Sequence, residues 1–132
     1  MGKILAIDFG LVRVGLAITD DNKEFALALG TVLAEPHNDC LEKIKKIVED
    51  EKVERIILGL PLTLEGTDGP QAKVVRVFGD ELIKLLSLPL EYLDERYSTK
   101  MSLVISKMKG MRHPDAEAAR LLLDTWLETN KK

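Results

Sequence analysis

The sequence predicts an α/β fold: a mixed five-stranded sheet with three antiparallel N-terminal strands and a parallel remainder, flanked by helices. Three observations carry that expectation. The first third of the chain is made of short apolar runs separated by polar turns. From residue 39 the apolar positions switch to helical spacing. The later extended segments are β-branched and Leu runs without polar alternation, as strands buried on both faces require. A chain of 132 residues, 45% hydrophobic and 31% charged, can bury a real core, so one domain over residues 1–132 is expected.

Taken in order, Lys3 to Ile7 is an apolar run ending at Asp8, and Arg13 to Thr19 is a second one. The intervening Gly10 and its neighbours read as a hairpin turn. Asp20, Asp21, Asn22 and Lys23 make a polar turn before a third strand, Phe25 to Val32, which completes an antiparallel meander. Leu41, Ile44, Ile47 and Val48 then mark one face of a helix reaching about Glu51. Arg55 to Leu60 is a buried interior strand. A loop from Pro61 to Pro70, with Gly66 and Gly69, leads into a helix whose buried stripe is Val74, Val75, Phe78, Leu82 and Leu85. Pro89 to Leu93 makes the fifth strand. Ser98 can cap a helix running towards Lys109 and stopped by Gly110, and Pro114 suits an early position of a last helix ending near Glu128. Helix-strand alternation in the second half implies parallel neighbours joined by right-handed crossovers.

The balance of charges restricts function. A net charge of −3 argues against a generic electrostatic binder of nucleic acid, which needs surplus Lys and Arg to displace counterions. Charge is nevertheless uneven: Arg96, Lys100, Lys107, Lys109 and Arg112 stand in a stretch to Pro114 that has no Asp or Glu after Arg96. The single cysteine, Cys40, can form no internal disulfide, and only His37 lies near it, so it reads as structural rather than zinc-binding. No apolar stretch approaches the roughly 20 residues that span a bilayer. A cytoplasmic protein with no membrane partner is expected.

Chemistry concentrates in the acids. Ligand sites of open α/β sheets form at the carboxyl ends of parallel strands. Asp8 ends the first strand there, and Asp94 and Glu95 end the fifth. Asp115, in the first turn of the last helix, shares a face with Ala119, Leu122 and Trp126 and so points at the sheet. Crowded carboxylates are unfavourable unless cations neutralise them, which makes this meeting point a candidate metal site. Taken singly, each acid reads as a turn cap, a helix-dipole partner or a surface ion pair.

Four segments then resemble one known group: Asp8-Phe9-Gly10-Leu11-Val12-Arg13-Val14-Gly15-Leu16-Ala17; Gly59-Leu60-Pro61 with Gly66; Asp94-Glu95-Arg96-Tyr97-Ser98-Thr99; and Asp115 with Ala118-Ala119. In that order and context they are similar to the YqgF family, the Holliday-junction-resolvase-like group also described as pre-16S ribosomal RNA nucleases. The likeness covers essentially the whole chain. It departs from the family between Ser98 and Asp115, which is shorter than usual, and at Met101-Ser102, where an acidic-Ala pair is commoner.

The resemblance implies a ribonuclease H-like fold and a nuclease whose catalytic and metal positions are Asp8, Glu95 and Asp115, holding Mg²⁺ or Mn²⁺; Asp94 is the alternative to Glu95. Its partner would be nucleic acid, either structured RNA (the pre-16S 5′ end) or branched DNA, met by a monomer or weak homodimer. Candidate substrate contacts are Arg13, which can hold a phosphate bidentately or brace Asp8; Lys73 and Arg76 behind the free amides of the second helix; and Arg96 and Lys100 in the basic stretch. Tyr97 is a candidate base-stacking residue or plain packing. Two rival readings remain. One is a phosphate loop of the sugar-kinase and actin-like type at Asp8-Phe9-Gly10, for which the chain lacks a second domain. The other is a non-catalytic binding module in ribosome assembly.

Overall fold

The structure, a computed structural model, describes residues 2–95 and 114–130. Among them the order is β1 (Lys3–Phe9), β2 (Arg13–Thr19), β3 (Ala26–Leu33), α1 (His37–Glu51), β4 (Val53–Leu60), α2 (Pro70–Leu86), β5 (Leu90–Asp94) and α3 (Pro114–Thr129). The strands form one sheet in the order β3-β2-β1-β4-β5. β1 pairs antiparallel with β2, and β2 with β3, while β1–β4 and β4–β5 are parallel. The mixed sheet read from the sequence is therefore the one observed, with boundaries moved by one or two residues. The helix expected between Ser98 and Lys109 lies outside the described residues.

Alternation along the strands sorts their side chains into two layers. Leu5, Ile7, Val14, Leu16, Ile56 and Leu58 face α1 and α2 and pack on Ile44, Val75, Phe78 and Leu82. Ala6, Ala17 and Ile57 face the other way, under Ala119, Leu123 and Leu127 of α3. Small side chains on that second face let α3 lie close across β1, β2 and β3. Each fully buried Leu or Ile stabilises the fold by about 1.5–3 kcal/mol relative to exposure.

The expected stripe of α2 is corrected at two positions, Val74 and Leu85; Leu85 is only half-buried, while Leu86 packs against the core. Ala72, Val75, Phe78, Gly79 and Leu82 form its buried face, whereas Val74 is 45% exposed. At 100° per residue Val74 falls at the margin of that face, so apolar character alone misassigned it. Trp126 is half-buried rather than core; its indole Nε1 donates to Glu91 Oε2 at 2.8 Å. Cys40 is a free thiol on the buried face of α1.

Candidate active site

Asp8 and Glu95 meet although their strands are not neighbours. Asp8 lies near the C-terminal end of β1 and Glu95 directly follows β5, with β4 running between them. Gly59 on β4 makes the meeting possible. A Cβ added there would stand 2.6 Å from Glu95 Oε1 and 2.7 Å from Leu122 Cδ1, so the glutamate carboxyl occupies the space a larger residue would fill. Having crossed β4, the Glu95 side chain is hydrogen-bonded to that of Asp8.

A second glycine brings up the third acid. Gly15 pairs with Asp8 across the hairpin, and a Cβ at Gly15 would overlap the backbone carbonyl oxygen of Asp115. The first turn of α3 thus rests directly on β2, beside Asp8. The Asp115 carboxylate lies 4.0 Å from Nη1 of Arg13, with both side chains partly exposed at the rim. Among the described residues no three His, Cys, Asp or Glu side chains converge tightly enough to make a preformed cation site. Two of the three expected acids touch, and the third acts on Asp8 through charge.

Electrostatics bear the mark of this crowding. Burial pushes Asp8 up to about 6; its hydrogen bond with Glu95 works against the rise and the Asp115 charge adds to it. Glu95 is pushed up to about 8, first by burial, then by the charge and hydrogen bond of Asp8 and by the charge of Asp94. Near neutral pH the pair therefore retains a proton between two oxygens that would otherwise repel. An all-carboxylate oxygen set of this kind suits a hard divalent cation, which can replace that proton.

The acid pair opens into a cleft of about 320 Å³ bounded by Phe9, Gly10, Leu11, Pro61 and the first turn of α2. That turn has Gly69 as its N-cap with no side-chain cap, and Pro70 opens the helix. Of the expected phosphate contacts, Lys73 and Arg76 do not line the cleft. Arg76 is held by Asp68 and lies over the Tyr92 ring at 5.1 Å. Arg96, Lys100 and Tyr97 lie outside the described residues.

A family model described as "RuvX: Holliday junction resolvase" matches residues 2–129. The chain belongs to the RuvX family. This is the YqgF group to which its motifs are similar. A protein of Roseiflexus sp. (strain RS-1), named "Putative pre-16S rRNA nuclease", is 33% identical over 136 residues, covering 98% of this chain and 96% of its own. A protein of the same name from Maridesulfovibrio salexigens is 36% identical over 131 residues, covering 95% and 97%. In fold the RuvX chain is similar to T. thermophilus RuvC, solved in complex with a Holliday junction substrate, with a TM-score of 0.58, 13% identity and coverage of 98% and 97%. The fowlpox virus resolvase, solved with Holliday junction DNA, gives 0.58, 14% identity and coverage of 98% and 99%. The ribonuclease H-like architecture expected from the sequence is thus the architecture of this RuvX chain. No helix among its described residues is long and apolar enough to cross a membrane.

Sequence reading missed the two glycines that build the site. Gly15 and Gly59 stood in the motifs, but nothing in their spacing says that a helix backbone or a carboxylate fills the missing Cβ. The signal available was their position, opposite and between the acid-bearing strand ends.

Proposed function

We propose that this RuvX-family chain is a metal-dependent nuclease that hydrolyses phosphodiester bonds in the precursor of 16S ribosomal RNA. The observation that carries the reading is the proton-sharing Asp8–Glu95 pair at the strand ends, in a chain whose full-length relatives bear a nuclease name. Asp8, Glu95 and Asp115 would hold Mg²⁺ or Mn²⁺. Such an ion supplies Lewis acidity towards a phosphoryl oxygen and an activated water for attack.

The chain's own residues do the rest. Asp8 and Glu95 give up their shared proton as the cation enters. Arg13 pairs with Asp115 at the rim and can turn its guanidinium to a substrate phosphate, keeping that phosphate beside the acids.

Branched DNA is the second reading, favoured by the family description as a Holliday junction resolvase. Matched panels of precursor-like RNA and four-way DNA junctions, each incubated with Mg²⁺ and with Mn²⁺, decide between them. Wild type should cut one panel, and Asp8→Asn should cut neither while melting like wild type. Equal cleavage by the variant would remove the mechanism. A non-catalytic module would show neither cleavage nor calorimetric uptake of Mn²⁺ that depends on Asp115.

A further inference from the structure

The cleft beside the acids has the wrong lining for a phosphate. Its described walls include Phe9, Leu11, Pro61, Pro70, Val74 and Val75; Gln71 is the one neutral polar side chain among them, there is no Lys or Arg, and the charged members are the two acids themselves. A phosphate pushed into those walls would lose water and gain no cation. What fits is the flat, uncharged part of a nucleotide.

The lining also looks built for contact from outside. Leu11 is 78% exposed and Val74 45% exposed. Leu11 stands in the β1–β2 turn and Val74 in the first turns of α2. Phe9 is half-buried, and its ring is braced from beneath by Phe78, with centroids 4.4 Å apart and planes at 35°. An aromatic held that firmly loses little freedom when a base stacks on it. The apolar walls adjoin Asp8 and Glu95 in one continuous cavity, so a nucleotide whose phosphate lies at the acids would carry its base into them.

We propose that this cleft is a nucleobase subsite: it takes one unstacked base next to the scissile phosphate. The substrate class is then nucleic acid with a base out of the helix (a loop, bulge, end or branch point), not continuous duplex. This rests on the nuclease reading for which phosphate is cut, but the base contact is tested by binding alone. A base already unpaired avoids the unstacking cost of a few kcal/mol, and that difference is itself a source of selectivity.

The test compares two hairpins, one with a single bulged adenosine and one with an abasic residue at that position, in RNA and in DNA versions. Both bind to the non-cleaving Asp8→Asn chain in Mg²⁺. Base-aromatic stacking of ordinary strength predicts about 5- to 100-fold tighter binding of the base-bearing hairpin. In the same background the double substitution Leu11→Ser and Val74→Ser, which leaves Phe9 in place, should lower that ratio at least threefold. Both positions are exposed, so the fold should survive, and neither change adds a charge that would repel phosphate. A ratio near one in the parent, or a ratio unchanged by the double substitution, overturns the subsite. Wild type that cuts nothing while the ratio holds would sink the nuclease reading and leave the base site standing. The RNA and DNA arms tell which sugar accompanies the base.

Discussion

Gly59 leaves Glu95 the room to cross β4 and reach Asp8, and the consequence is a pair of carboxyls kept protonated beyond the usual range, first by burial, then by the charge of Asp115 on Asp8 and of Asp8 on Glu95. This makes the metal-free chain sensitive to pH in a defined direction. Free carboxyls of these types titrate near 3.8 and 4.5, whereas the folded pair is raised to about 6 and about 8. Between those limits the folded state binds more protons than the unfolded one, so stability falls as pH rises. The pair's favourable contribution is fully present below about 4 and lost by about 8. Denaturant melts of the metal-free protein from pH 4 to 8.5 should show a decline that Glu95→Gln flattens. A wild-type slope matched by that variant would mean the two carboxyls are not coupled as described.

At the scale of elements, the two glycines differ in what they hold apart. Gly59 faces side-chain ends that can shift by a few tenths of an ångström, but Gly15 faces the backbone of α3. Gly15→Ala must lift the start of that helix off the sheet, while Gly59→Ala can be absorbed by turning Glu95 away. Gly15→Ala should therefore cost the top of the usual overpacking range, about 3 kcal/mol or more, with Gly59→Ala nearer 1 kcal/mol. Gly59→Ala should nonetheless weaken Mn²⁺ binding as strongly, because it moves a ligand. Thermal melts and calorimetry on the two variants check the contrast; equal melting temperatures would show that α3 is not seated as described. Strand and helix identities were legible because short continuous apolar runs give way to apolar positions at helical spacing where the elements change, as at Leu41 and Ile44. The site was legible only as acids at strand ends. That Asp8 and Glu95 would touch while Asp115 turned to Arg13 depends on side-chain packing over Gly59 and Gly15, which no one-dimensional pattern encodes. Val74 was misread for the same reason: an apolar side chain at the margin of a helix face looks like core until the cleft beside it is seen.

The molecule as a whole is acidic, with a net charge of −3, and it carries two carboxyls in the cleft where a polyanion must come. Long-range attraction cannot gather substrate here as it does for basic nucleic-acid binders. Divalent ions must then contribute to binding as well as to chemistry. Chelating them should weaken binding of an RNA hairpin at least tenfold at low salt, measured by fluorescence anisotropy with the Asp8→Asn chain excluded so that all ligands remain. Binding indifferent to chelation would mean that cations elsewhere on the surface do the gathering. The pairing of Asp8 with Gly15 across the first hairpin also constrains how this chain can diverge. Within the turn only Val12, 67% exposed, is open to changes of letter; a Cβ at Gly10 would stand 2.5 Å from the Arg13 carbonyl oxygen, and Leu11 lines the cleft. The number of turn residues is fixed. One residue inserted or deleted would put a side chain where the start of the last helix now rests and carry the gap away from the acid it serves. Descendants of this sequence can therefore change the letter at Val12 but must keep count.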